Sequence, residues 1–192
     1  MSSELERAAC SAAWANATAR ELDTRHRAAA RAFVDALAAA YANGAVVYAE
    51  FELDLEPAMF AMAADPARWT DAQLLERLWH LPAVARGIPR LGARRADVAS
   101  YFELADLAEV GDFLEQAVRA GGAYSAPMVD TARSRTLGEA FAQELMDAPD
   151  ALALIARSAW CEFFHDVAWD VTVVVLAPSR RQVKLLLATD VD

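Results

Sequence analysis

The chain has 192 residues, of which 56% are hydrophobic and 24% charged, and this balance excludes an intrinsically disordered protein. Its formal net charge of −10 disfavours binding to nucleic acid or to anionic membranes and favours basic partners. No apolar run approaches the roughly 20 residues that span a bilayer, and no basic segment followed by an apolar one opens the chain, so we expect a cytoplasmic protein.

The length and the cysteines indicate the kind of domain. A chain of this length predicts a single globular domain over residues 1–192 that buries about 70% of the surface of its unfolded state. Two cysteines, Cys10 and Cys161, indicate buried thiols in a reducing compartment rather than a disulfide framework.

Residues 1–43 are predicted to form a helical N-terminal part. Ser3 and Glu6 have the spacing of a capping box and open a first helix. A second helix is predicted over residues 24–42, where apolar side chains recur at helical spacing, and an Asn-Gly pair ends it. The apolar stripe of this second helix consists of Ala30, Phe33, Val34, Leu37 and Tyr41.

The clearest alternation in the chain predicts a half-buried strand over residues 46–55. Apolar residues hold the odd positions of this stretch, and acids hold four successive even positions. The acids, which are expected to share one solvent face, are Glu50, Glu52, Asp54 and Glu56.

This acidic face has two interpretations. In the first, it only solubilises an edge strand and deters aggregation. In the second, the four acids bind a basic partner, because like charges on one face repel each other, no lysine lies nearby in the sequence, and natural surfaces usually intersperse the two signs.

The middle of the chain contains short helices and one basic loop. Helices are predicted over residues 57–64 and from Thr70 to Pro82. The basic loop that follows has four arginines that form a candidate anion site: Arg86, Arg90, Arg94 and Arg95. The loop lacks the Lys-Ser/Thr ending of a P-loop, and its alternative role is to pair with the acidic segments on either side.

Beyond the basic loop the pattern becomes helical again. Residues 98–104 are predicted either as a strand or as the entrance to a helix over residues 107–118. Thr136 and Glu139 have capping-box spacing and predict the start of another helix.

A last helix is predicted to begin at Asp150, with its apolar residues facing inward. Such a helix places Cys161 and His165 on one face, at i and i+4. A catalytic cysteine needs a lowered pKa and exposure, whereas the aromatic residues around Cys161 predict a buried structural thiol. The inward residues of this helix are predicted to be Leu152, Ile155, Ala159 and Phe163.

The C-terminal part predicts a β-hairpin over residues 171–188. β-Branched residues fill its first strand, and Pro178 opens a tight turn. A symmetric loop pairs Ala177 with Gln182 and Thr172 with Leu187. One face of the hairpin then belongs to the core, and it consists of Val174, Leu176, Val183, Leu185 and Leu187. The opposite face carries Lys184 and is expected to be only partly covered, so that this lysine should tolerate truncation to alanine.

The same register gathers acids and a histidine at the open end of the hairpin. Asp170 lies opposite Thr189 in this register, and Asp192 lies beyond. The candidate metal ligands are Glu162, His165, Asp166, Asp170 and Asp190. Hard carboxylate oxygens bind divalent cations, and Glu162 and His165 have the i, i+3 spacing of carboxylate-bridged metal bundles. In the alternative interpretation, Asp170 and Thr189 hydrogen-bond to the backbone at the strand ends and the last residues form a solvated tail.

These patterns together predict an α+β fold, with several short helices packed on a small, mainly antiparallel sheet that includes the 171–188 hairpin and the 46–55 strand. No catalytic or cofactor motif is present, so we expect no cofactor and an interaction protein rather than an enzyme. The predicted function is to bind or neutralise a basic protein, as an immunity protein against a basic toxin or a mimic of DNA charge does. The alternative is a metal- or ligand-binding domain, or an enzyme, that uses the carboxylates and histidine at the end of the hairpin.

Overall fold

An antiparallel sheet forms the centre of the fold. The computed structural model describes residues 2–65, 74–88, 91, 97–122 and 129–191. Within these residues the strands are β1 (Ala19–Glu21), β2 (Ala45–Leu53), β3 (Glu103–Ala105), β4 (Leu152–Ala156), β5 (Val171–Ala177) and β6 (Gln182–Thr189). They lie in the order β1-β2-β6-β5-β4-β3, and each neighbouring pair is antiparallel. The α+β class, the C-terminal hairpin and the strand near residues 46–55 are therefore confirmed.

Helices lie on both faces of this sheet. Their bounds are α1 (Ser2–Ala15), α2 (Ala28–Ala40), α3 (Pro57–Ala64), α4 (Leu74–His80), α5 (Pro82–Gly87), α6 (Leu107–Ala120) and α7 (Thr131–Leu145). Helix α3 has the predicted bounds, while α2 starts four residues later than predicted and follows an edge strand, β1, that the sequence patterns did not reveal. Among the described residues, no helix combines the length and the apolar character needed to cross a membrane.

The hairpin has the predicted register. Ala177 pairs with Gln182 and Thr172 with Leu187. The turn is a short 3-10 helix over Pro178–Arg180, and Arg181 closes it in the left-handed conformation, with φ of 55°. The five residues predicted for one face all lie in a core beneath α1, α3, α4 and α5, which we call the first core.

The opposite face of the hairpin is also buried, which corrects the expectation of partial cover. Helices α2, α6 and α7 pack over it and form a second core, in which Phe33 of α2 contacts Phe141 of α7 with 4.8 Å between ring centroids. Lys184 lies within this core with 0% of its surface exposed. A strand covered on both faces shows a continuous apolar run instead of alternation, and 171–177 has this pattern.

The predicted helix from Asp150 is wrong. Residues 152–156 form strand β4 between β3 and β5, and the segment that follows contains no helix. Trp160 anchors this segment to the first core, where its indole N–H donates to the buried hydroxyl of Thr172 at 2.9 Å. Asp150 instead accepts hydrogen bonds from the backbone N–H and the hydroxyl of Ser179. Cys161 and His165 therefore do not share a helix face.

Two other boundaries also differ from the predictions. Of residues 98–104, the first four form a 3-10 helix and only the last two belong to strand β3. Helix α7 begins at Thr131, because the side chain of Asp130 caps it by accepting from the N–H of Arg133. Thr136 lies inside the helix, and its hydroxyl donates to the carbonyl of Ala132.

Replacing Leu185 with alanine is expected to lower the free energy of unfolding by about 2–5 kcal/mol, because its cavity in the first core cannot collapse completely. Leu104 on the edge strand β3 provides a matched control. Its side chain is 47% exposed, so its truncation is expected to cost less than about 1 kcal/mol. Equilibrium urea unfolding measures both values, and equal losses for the two leucines would contradict the placement of Leu185.

Candidate functional site

The predicted acidic face is not a solvent face at Glu50. This residue is 1% exposed, and the sheet register places it opposite Lys184 in the second core. Its carboxylate accepts a hydrogen bond from Arg27 at 2.8 Å and one from the hydroxyl of Tyr48 at 2.5 Å. The buried carboxylate is therefore neutralised inside the protein, and Glu50 cannot be a partner-binding residue as predicted.

Glu52 is also compensated by cations from distant parts of the chain. It forms ion pairs with Arg20 on β1 and with Arg181 in the hairpin turn. Asp54 and Glu56, in contrast, are exposed. The sequence therefore predicted the strand correctly, but the four acids do not form one uncompensated surface.

Four charged residues connect the sheet to α2 and α7: Arg27, Glu50, Asp147 and Lys184. We call them the buried charge network after the two buried members, Glu50 and Lys184, while Asp147 lies at its exposed end. The ammonium group of Lys184 donates to Asp147 at 2.7 Å and to the main-chain carbonyl of Glu144 at 2.7 Å. Asp147 also pairs with Arg180 in the hairpin turn at 2.6 Å. Both hydrogen bonds of Lys184 thus reach the C-terminal end of α7.

The network also shifts the pKa values of its members. Burial acts to raise the pKa of Asp147, but hydrogen bonds from Lys184 and Arg180 outweigh burial and hold that pKa below its ordinary value. Burial, together with the charge of Glu50, raises the pKa of Tyr48 far above its usual range. Tyr48 therefore remains a hydrogen-bond donor.

The candidate metal ligands are separated by their environments. Glu162, His165 and Asp166 are exposed on the segment before β5, whereas Asp170 and Asp190 are buried. No group of three or more histidine, cysteine or acidic side chains within the described ranges is placed to hold a metal ion. The metal hypothesis thus finds no support in this part of the chain, and Asp192 lies outside it.

The two buried aspartates make structural hydrogen bonds. Asp170 accepts from the hydroxyl of Thr189 at 2.7 Å and from the N–H of Val167 at 3.1 Å. Burial nevertheless raises the pKa of Asp170 above its ordinary value. Asp190 accepts from the N–H of Asn43 at 3.1 Å, which connects the end of β6 to the loop before β2. These contacts correspond to the alternative interpretation of Asp170 as a strand-end residue.

The candidate anion site lies mostly outside the described residues. Arg86 is exposed at the end of α5. Arg90, Arg94 and Arg95 are not among the described residues, so anion binding by these four arginines stays a prediction.

The structure reveals an acidic groove, between α6 and α7, that the sequence patterns did not identify. Its volume is about 520 Å³, and it is lined by Asp106, Leu107, Ala108, Gly111, Asp112, Glu139, Ala142 and Gln143. The two helices approach closely because Gly138 has no side chain: a Cβ there would lie 2.8 Å from the carbonyl oxygen of Gly111. Asp112 and Glu139 make no hydrogen bond or ion pair with any described residue.

One exposed leucine, Leu107, lines this groove. Leu104 lies on the other face of the sheet, because it pairs with Leu154 of the first core. Leu104 on β3 and Leu107 at the start of α6 are 47% and 45% exposed, and they are the large hydrophobic residues most exposed in the described ranges. Asp106 lies between them and caps α6 by accepting from the N–H of Glu109. Leu107 is the first residue of the helix predicted over residues 107–118, and no local signal distinguishes an exposed first residue from a buried one.

Comparisons of this chain with protein families, with curated proteins and with solved structures found no match.

Replacing Lys184 with methionine is expected to lower the free energy of unfolding by about 2–4 kcal/mol, since the apolar volume is kept but Asp147 and the Glu144 carbonyl lose their buried donor. Arg180→Met is the matched control, because it removes a more exposed cation from the same carboxylate and should cost less than about 1 kcal/mol. Urea unfolding of both variants is the measurement. A smaller loss for Lys184→Met than for Arg180→Met would contradict the buried charge network.

The difference between wild type and Lys184→Met is expected to depend on pH. Because the pKa of Asp147 in the folded state lies below its ordinary value of 3.8, the stabilisation from its ion pairs is present above about pH 4 and is lost as the pH falls through the folded-state value. Urea unfolding of the two proteins between about pH 7 and pH 3 should therefore show a shrinking difference in acid. A difference that grows below pH 4 would contradict an ionised Asp147.

Proposed function

We propose that this protein is an interaction module that binds a basic protein partner, and that the acidic groove between α6 and α7 is the binding surface. The observation that carries the proposal is the composition of the groove. Three of its eight lining residues are acids, Asp106, Asp112 and Glu139, and no lysine or arginine is among them.

The distribution of cations supports this location. Three arginines pair with acids of β2: Arg20, Arg27 and Arg181. The only lysine, Lys184, forms an ion pair with Asp147 in the buried charge network. Those contacts neutralise Glu50 and Glu52 of the predicted acidic face, while Asp54 and Glu56 remain exposed. Asp112 and Glu139 form no ion pair with a described residue, so they attract a cationic partner and raise its rate of encounter.

The exposed side chain of Leu107 supplies an apolar contact in addition to the charges of the groove. Binding energy in protein interfaces concentrates in a few well-packed residues, while surrounding charges mainly contribute to specificity and association rate. Leu107 is suited to the first role, and Asp112 and Glu139 to the second. The partner would present an apolar side chain flanked by arginine or lysine.

Among the kinds of protein expected from the sequence, we favour an immunity-type inhibitor of a basic toxin over a mimic of DNA charge. A DNA mimic needs many acids arrayed along a surface in the manner of phosphates, because nucleic-acid-binding proteins make several phosphate contacts. The groove instead concentrates a few acids beside one exposed leucine, Leu107, which suits a local protein contact. A cytoplasmic location is part of the same proposal.

The proposal predicts a specific and salt-dependent loss of binding. The double variant Asp112→Asn/Glu139→Gln is expected to weaken binding of the basic partner by roughly 3- to 30-fold, from about 0.3–1 kcal/mol for each exposed charge. Unchanged thermal unfolding would establish that the exposed substitutions leave the fold intact. The measurement is quantitative capture of proteins from the native host on immobilised wild type and variant, at low and high salt.

A second double variant serves as the control for this experiment. Asp54→Asn/Glu56→Gln removes the same number of charges from the exposed segment that follows β2 and is expected to capture the partner as wild type does. Equal capture by the groove variant and wild type would refute the groove as the binding surface. If only the control variant lost capture, the partner surface would be the segment with Asp54 and Glu56 and not the groove.

A further inference from the structure

A second cleft lies at the open end of the C-terminal hairpin, where α2 and α6 end. It has a volume of about 370 Å³ and shares no lining residue with the acidic groove. This volume is within the range of small-molecule sites, roughly 300–1,000 Å³. Asp170 lines it, whereas His165 and Asp190, the other residues expected at a hairpin-end site, are not among its lining residues.

Aromatic side chains form much of the wall of this cleft. Tyr41 from the end of α2, Phe113 from α6 and Trp169 from the segment before β5 all line it, together with small apolar residues. Small-molecule sites are lined mainly by such side chains, with a few polar groups that fix orientation. Flat aromatic faces are suited to a planar, ring-shaped ligand.

One of these aromatic residues has an unsatisfied donor. The indole nitrogen of Trp169 is buried and has no hydrogen-bond partner in the described part of the chain. The indoles of Trp14 and Trp79 are likewise unpartnered, but they lie in the first core and line neither the acidic groove nor this cleft. A buried donor without an acceptor costs about 1–3 kcal/mol, so an acceptor on a ligand in the cleft would be favoured.

Arg157 places a cationic donor at the same cleft. Its guanidinium carbon lies 4.4 Å from the centroid of the Phe113 ring, and its Nη1 donates to the Gln116 carboxamide oxygen at 3.4 Å. No carboxylate of the described residues forms an ion pair with it. Stacking on a ring holds the guanidinium plane while leaving N–H groups open, and this planar fork matches the two oxygens of a carboxylate.

Asp170 determines which way round a ligand would bind. Both of its oxygens already accept hydrogen bonds, from Thr189 and Val167, so it is not available as a free acceptor pair. Its negative charge opposes a ligand anion on its own side of the cleft. An anionic group is therefore expected beside Arg157, with the ring of the ligand towards Tyr41.

We propose that this cleft binds a small aromatic monocarboxylate, whose carboxylate accepts hydrogen bonds from Arg157 and the Trp169 indole while its ring packs on the aromatic wall. This site is independent of the proposed protein-binding groove. The proposal concerns the binding of a small molecule in the cleft and involves no chemical reaction of that molecule.

Benzoate is the test probe, and benzylamine, which has the same ring and the opposite charge, is its matched control. The five tryptophans give five indole N–H resonances in a ¹⁵N-correlated NMR spectrum, and Trp169→Phe identifies the one that belongs to Trp169. Benzoate is expected to shift this resonance saturably at millimolar concentration. Benzylamine is expected to bind at least about tenfold more weakly, since it loses the charge-assisted bond to Arg157.

Two arginine variants and the tryptophan variant complete the test. Arg157→Gln is expected to weaken benzoate binding by about tenfold or more, while Arg133→Gln, an equal charge change on α7 outside the cleft, should leave it unchanged. Trp169→Phe keeps a ring but removes the donor, and should weaken binding by about 3- to 10-fold, followed on other cleft resonances. The proposal is overturned if benzoate causes no saturable shift, if benzylamine binds as tightly, or if Arg157→Gln binds benzoate as wild type does.

Discussion

Burial of the ammonium group of Lys184 is the constraint on which the arrangement of this fold depends. An ion taken out of water costs several kcal/mol unless hydrogen bonds and an opposite charge compensate it. Asp147 and the Glu144 carbonyl supply that compensation from the end of α7, while Arg27 at the start of α2 pairs with Glu50 on the neighbouring strand. The compensation therefore ties α2 and α7 to the centre of the sheet and holds the second core closed.

This internal use of cations determines which surfaces remain charged. Arginines pair with Glu50 and Glu52, so that only Asp54 and Glu56 of the most conspicuous acidic run of the sequence remain exposed. The position of α7, set at its C-terminal end by the network, also fixes the groove that α7 forms with α6. The uncompensated acids of that groove then become the natural contact for a basic partner. The cleft at the hairpin end has the opposite character, with Arg157 and an unpartnered indole donor beside aromatic walls.

The sequence predicts well those parts of the structure that depend on contacts between residues close together in the chain. The hairpin register follows from the symmetric loop that Pro178 opens, and α3 follows from a proline start. Strand β4 was missed because both of its faces are buried, so it shows no alternation, and both of its partner strands come from other parts of the sequence. The burial of Glu50 depends on Lys184, which lies far along the chain, and only the folded sheet brings the two together.

The most direct test of the central claim uses the fact that Lys184 is the only lysine in the chain. An amine-reactive reagent, followed by peptide mass spectrometry, reports on this one side chain without mutation. If the ammonium group is buried and ion-paired as described, Lys184 stays unlabelled in the native protein and becomes fully labelled in concentrated urea. Labelling of Lys184 under native conditions at the rate of an exposed lysine would contradict the closed second core and the network that holds it.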